Sequence, residues 1–227
     1  MNTSTKIIIL ALGLIVVTFG MQFLLKLYTD PIHVHGRSAD ETPVQFLVGD
    51  TKFEVPQNFI RIAAQRNSNP KDRIDLYFHW PSFSGYSMSN SNDFDNPNTQ
   101  ERVLFVTVER LDNALPPPGR RLDGLYRRFF EGNPWRGPAG LLGQGFSASS
   151  GYANEELYYA KEGDATFIAR CLKNNEDSSD SIRRTCLYDF ALEGNLVATV
   201  RFDKSLLESW REVSAGAKRK VMGMLAL

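Results

Sequence analysis

The hydrophobic pattern falls into three regimes. From Ile7 to Leu25 the chain is uncharged and almost wholly apolar, closed by Lys6 and Lys26. Residues 26–43 are polar and without periodicity, broken by Pro31, Gly36 and Pro43. From residue 44 onward short β-prone runs alternate with turn signals, and the chain closes on a helical stripe.

The first regime predicts a transmembrane helix. A bilayer core of about 30 Å needs roughly 20 apolar residues rising about 1.5 Å each, and Ile7–Leu25 meets that length with little to spare. It is longer than the apolar core of a cleaved signal peptide, and KLYTDPIHV beyond it offers no small-residue cleavage site. Gly13 and Gly20 are too far apart for a small-xxx-small dimer face. The expected layout is a short cytoplasmic N-terminus (1–6), an anchor (7–25), a stalk (26–43) and one soluble domain (44–227).

In that domain VQFLV (44–48) and TKFEV (51–55) flank Gly49-Asp50, a type II′ hairpin signal. Segment 58–66 fits either a helical turn or an irregular strand. RIDLYFHW (73–80) alternates, with Ile74, Leu76, Phe78 and Trp80 on one face and Asp75, Tyr77 and His79 on the other. RVLFVTVER (102–110) reads as a central strand buried on both faces. RRLDGLYRRFFEG (120–132) reads as a short amphipathic helix ending at Gly132. Residues 82–100 and 133–151 read as loops. Strands are expected at 156–161, 165–173, 184–192 and 196–202.

A final helix opens on the capping-box pair Ser205 and Glu208. Its apolar stripe runs Leu206, Trp210, Val213, Ala217, Val221, Met224. The fold class is therefore α+β: a mainly antiparallel sheet with two amphipathic helices, preceded by one N-terminal transmembrane helix.

About 200 residues follow the anchor, enough for one core. Without Lys6 and Lys26 the chain holds 24 Lys and Arg against 26 Asp and Glu, which argues against nucleic acid as a partner. Charges flanking the anchor are nearly balanced, with Lys6 on one side and Lys26, Arg37 and Asp30 on the other. The cysteines decide the orientation. Cys171 and Cys186, the only two, lie on neighbouring predicted strands across a polar loop, so a disulfide between them is expected. That places the domain in an oxidising compartment, the bacterial periplasm, with the N-terminus in the cytoplasm.

Candidate chemistry is sparse. His33 and His35, near Asp30, supply too few ligands for a metal site and read as solvated stalk. NSNDFDN (90–96) lacks the glycine and the closing glutamate of a calcium loop. No nucleophile elbow or phosphate loop occurs. His79 and Asp75 share a strand face, but residues four apart on a strand lie about 13 Å from each other. No catalytic residue, metal or cofactor is assigned.

Contact residues are easier to nominate. Trp80, Phe83, Tyr86 and Trp135 sit in Gly/Pro/Ser-rich segments, and Arg120, Arg121, Arg127 and Arg128 flank the predicted helix. The function expected is non-catalytic: a periplasmic domain on a single-pass inner-membrane anchor that binds a partner or serves a membrane protein complex. Two alternatives stand beside it, a tethered hydrolase with its site in the 81–100 and 133–151 loops, and an immunity-like inhibitor.

Overall fold

The computed structural model describes residues 18–22, 36–162, 165–173 and 184–226. Most of Ile7–Leu25 lies outside these, as do Asp30, His33 and His35; residues 18–22 are helical. Among the described residues no helix is long and apolar enough to cross a membrane.

Strands β1 (Pro43–Val48) and β2 (Thr51–Pro56) form the expected antiparallel hairpin. Gly49 takes φ +59° and Asp50 does not join it at positive φ, which is the type II′ pattern. Phe46 and Phe53 stack across the pair at 6.1 Å, and with Val48 and Val55 they bury the inner face.

All other strands form one antiparallel sheet: β3 (Arg73–His79), β4 (Val103–Arg110), β5 (Phe130–Arg136), β6 (Leu142–Phe146), β7 (Glu155–Glu162), β8 (Ala165–Leu172), β9 (Thr185–Leu192) and β10 (Leu196–Asp203). Their order is β3-β4-β10-β9-β8-β7-β6-β5. Strands β5 to β10 run as a meander, and the β3–β4 hairpin attaches to the outer side of β10. The link between β4 and β5 therefore carries the chain from one end of the sheet to the other.

The first face of the sheet carries the main core. Ile74, Leu76, Phe78, Leu104, Val106 and Val200 are fully buried there, against the hairpin and helix α2 (Trp210–Met222). Each such side chain contributes about 1.5–3 kcal/mol through burial. Trp210, Val213, Ala217 and Val221 form the buried stripe of α2, at the expected spacing.

The start of this helix differs from expectation. Lys204–Ser209 is a 3-10 turn, and its cap is Asp203, whose Oδ1 accepts from the Ser205 N–H at 2.9 Å and from the Ser205 hydroxyl at 2.6 Å. The Ser205 hydroxyl is thus used as a donor to a carboxylate, the stronger acceptor, and the cap belongs to Asp203.

Segment 120–132 also departs from its expected form. It folds as short turns, Pro118–Arg120, Leu122–Tyr126 (a π turn) and Arg127–Phe129, before Phe130 enters β5. Leu122, Leu125 and Tyr126 pack on Phe146, Leu157 and Ile168 of the second face, as one apolar turn should. Phe130 instead pairs with Phe146 in the sheet and stacks on Tyr159 at 6.4 Å. Gly132, with φ +72°, lies inside β5 beside its bulge and caps no helix.

The glycine-rich stretch 133–151 holds the rest of β5 and all of β6. Its glycines answer a close approach. The Trp135 ring lies over Gly143, where a Cβ would come within 2.2 Å of it. In the other expected loop, residues 91–95 form a helical turn, α1 (Ser91–Asp95), that puts Phe94 against Tyr77 and Val103. Segment 58–66 runs as turns along the outer edge of β3, with the Arg61 N–H donating to the Asp75 carbonyl at 2.9 Å. Cys171 and Cys186 sit directly opposite each other on β8 and β9, 4.0 Å apart at Cα, and are joined as a disulfide.

Candidate functional site

The nominated contact residues separate to the two ends of the sheet. Trp80 and Phe83 follow β3, meet edge to face at 5.5 Å and pack half-buried against the main core. Phe83, at φ +53°, lays its ring on Gly216 of α2. Tyr86 packs edge to face on Phe94 at 5.5 Å. These three close off the β3 end of the molecule. Trp135 lies on β5, seven strands away, and is 38 % exposed. Arg120, Arg127 and Arg128 are exposed, whereas Arg121 turns inward to pair with Asp189 and to donate to the Pro116 carbonyl at 3.0 Å.

At the β3 end a cleft of about 810 Å³ opens between segment 82–90, the turn at Asn58 and Phe59, and Lys220 of α2. Residues 133–151 contribute nothing to its lining. His79, the last residue of β3, faces it. The turn beyond His79 is closed by the His79 N–H donating to the Ser84 carbonyl at 2.8 Å and the Phe83 N–H donating to the His79 carbonyl at 2.7 Å. This brings Ser82 Oγ to 3.0 Å from His79 Nδ1. On the other side of the ring, Asp93 Oδ2 of α1 lies 2.8 Å from His79 Nε2. Phe94, locked among Tyr77, Tyr86 and Val103, holds α1 and with it Asp93.

The walls are specific too. Asn58 is 5 % exposed and donates through Nδ2 to the Tyr86 carbonyl at 3.2 Å. Its Oδ1 is buried with no hydrogen-bond partner among the described residues. Gly85 is pressed so closely to Asn58 that a Cβ would stand 2.6 Å from the Asn58 carbonyl oxygen. Lys220 lies over the Phe59 ring at 4.3 Å, and burial pushes its ammonium below the usual lysine value.

Sequence reasoning excluded an Asp75–His79 contact, and Asp75 indeed commits its carboxylate to Arg73, Gln65 and Thr107. It did not find Asp93. Nothing in the spacing announces a partner on a separate helical turn; only Ser82, three residues beyond His79 across Pro81, was within reach of local geometry.

At the far end of the sheet β5 is the edge strand, and Glu131–Arg136 is exposed throughout. Arg136 lies directly opposite Leu142 of β6 (42 % exposed) on one face of this edge, and Trp135, opposite Gly143, projects from the other. Trp135 also meets Tyr158 edge to face at 6.3 Å. Lys204 and Glu156 form an ion pair behind that ring.

No family model and no curated protein matches the chain. Two solved structures share the fold. One is Smlt3025, an immunity protein of the Stenotrophomonas maltophilia type IV secretion system. It is 15 % identical at TM-score 0.56, with 82 % of this chain and 94 % of that one covered. The other is FrpD, an iron-regulated outer membrane lipoprotein of Neisseria meningitidis. It is 11 % identical at TM-score 0.51, with 85 % of this chain and 96 % of that one covered.

Proposed function

We propose that the domain is an immunity-like binding module, held in the periplasm by the Ile7–Leu25 anchor, that recognises a protein partner through the β5 end of its sheet. The observation that carries this reading is the bare β5 edge. A long open strand with exposed backbone is a template for pairing. It is accompanied here by Trp135, Leu142 and Arg136, and Trp and Arg are the residue types that dominate binding hot spots. The bulge and Pro134 in β5 keep the edge from pairing indiscriminately. The fold shared with an immunity protein and with an envelope lipoprotein supports a binding role outside the cytoplasm, and the Cys171–Cys186 disulfide suits that compartment.

A growth competition tests the immunity reading. A strain deleted for this chain is mixed with its parent; the deletion strain is expected to be lost, and to be rescued by the full chain. Stable coexistence of the two would count against immunity. A photocrosslinker at position 135 tests binding more broadly. A reproducible adduct to a secreted enzyme supports inhibition, one to an integral membrane protein supports an accessory subunit, and none would sink partner binding at this edge.

A further inference from the structure

The cleft at the β3 end lies outside that binding edge and holds a hydroxyl, an imidazole and a carboxylate in one hydrogen-bonded line. The side chains of His79 and Asp93 are 14 % and 20 % exposed, so the array is shielded, while Ser82 is exposed at the cleft.

The protonation pattern follows from the partners. A neutral imidazole carries one proton on two nitrogens, and a carboxylate can only accept. Nε2, 2.8 Å from Asp93, therefore carries the proton, and the Nδ1 lone pair is left facing Ser82 Oγ at 3.0 Å. Ser84 Oγ lies 2.8 Å from Ser82 Oγ, and either hydroxyl can donate to the other. When Ser84 donates, the Ser82 proton has two acceptors, the imidazole at 3.0 Å and the more distant His79 carbonyl at 3.4 Å. A base held in one tautomer by a carboxylate, with a hydroxyl on its free nitrogen, is the logic that activates a serine nucleophile, here with the two ring nitrogens exchanged relative to the serine-protease triad. The cleft volume falls in the usual range for ligand sites and leaves room for an ester beside Ser82.

We propose that Ser82, His79 and Asp93 form an acyl-transfer site that hydrolyses carboxylic esters bound in this cleft. Ser82 Oγ attacks the ester carbonyl carbon as its proton passes to His79 Nδ1. The carbon–oxygen bond to the alcohol then breaks, and that proton leaves with the alcohol. Water attacks the acyl-serine, gives one proton to His79 Nδ1, and the carboxylic acid departs as the proton returns to Ser82. Bonds and protons balance with water as the only co-reactant. Pro56 and Phe59 offer the apolar wall for one part of the ester, and the serines of 82–89 the polar one.

The test uses the full chain in detergent micelles, a fluorophosphonate probe and p-nitrophenyl acetate. One phosphonate adduct per chain is expected, mapped by mass spectrometry to Ser82 and absent in Ser82→Ala. Ester cleavage is expected to fall in Asp93→Asn by on the order of 10²–10⁴-fold. An unlabelled wild-type chain, an adduct on another serine, or cleavage unchanged in Ser82→Ala overturns the proposal. If a variant melts early, the mapped position of the wild-type adduct decides alone, since a merely structural hydrogen bond would not make Ser82 react with the probe.

Discussion

Asp75 and Asp189 stand at the two ends of one rung of the sheet, Asp75–Thr107–Thr199–Asp189, running across β3, β4, β10 and β9. Each accepts a hydrogen bond from the threonine beside it, at 3.1 Å from Thr107 and 2.7 Å from Thr199. Each is also ion-paired to an arginine: Arg73 from the same strand for Asp75, and Arg121 from the crossing segment for Asp189. The rung therefore fastens two peripheral pieces to the second face. Gln65 joins the edge turn to Asp75, and Arg121 joins the β4–β5 link to Asp189.

Replacing Asp189 by Asn leaves Arg121 charged, buried and without its counter-ion. The expected loss is about 3 kcal/mol in urea unfolding, within the range for breaking a buried pair. Arg121→Met with Asp189→Leu is expected to recover most of it, because the paired apolar change strands no charge. A single Asp189→Asn variant as stable as the parent would show that the ion pair does not hold the crossing segment.

Acid stability should report Asp75. Its burial alone would raise the carboxyl, but the Arg73 guanidinium and the Thr107 and Gln65 hydrogen bonds outweigh that and hold it below the usual aspartate value. A carboxyl depressed in the folded state contributes stability that is complete above its unfolded pKa, about 3.9, and lost as pH falls through the lower folded value. Asp75→Asn is thus expected to be less stable than the parent near neutrality and to lose less on going below about pH 4. Parallel stability-versus-pH curves for the two would refute this.

The disulfide closes a separation of 15 residues, for which chain entropy gives a stabilisation of about 3 kcal/mol. Cys171→Ser with Cys186→Ser is expected to lower the unfolding free energy by that order. Alkylation of the denatured parent should add mass only after reduction; labelling without reductant would mean free thiols.

Gly216→Ala tests the seat of Phe83. Alanine inside a helix normally gains about 1 kcal/mol over glycine. Here the new Cβ would stand 2.1 Å from the Phe83 ring, so the substitution should lower Tm, and Phe83→Leu should relieve part of the loss. A higher Tm in Gly216→Ala alone would place the Phe83 ring elsewhere.

What the sequence revealed was whatever a local period encodes. The alternation of 73–79 and the stripe of α2 declare their core-facing sets, and the cysteine pair even announces its register. Asp75 and Tyr77 are buried as well, so β3 is covered on both faces, whereas β4, expected to be buried on both, leaves Phe105, Thr107 and Glu109 only partly covered. Strands β5 and β6 were not legible, because their glycines look like loop until Trp135 is known to lie over Gly143. Arg121 reads as one of four arginines flanking the apolar face; only Asp189, 68 residues away, explains why it alone turns in. The cleft was hidden for the same reason, since Asp93 reaches His79 through the packing of Phe94 and through no motif.

The strand order has a consequence for how the molecule comes into being. Val106 of β4 meets Val200 of β10, so the first hairpin of the sheet waits for its last strand. Such distant pairings close slowly, and an unpaired valine-rich edge is prone to self-association while it waits. A nascent chain must therefore keep β4 solvated or escorted until residues near the C-terminus emerge. Truncation before β10 would leave two separated sheet fragments instead of a smaller domain.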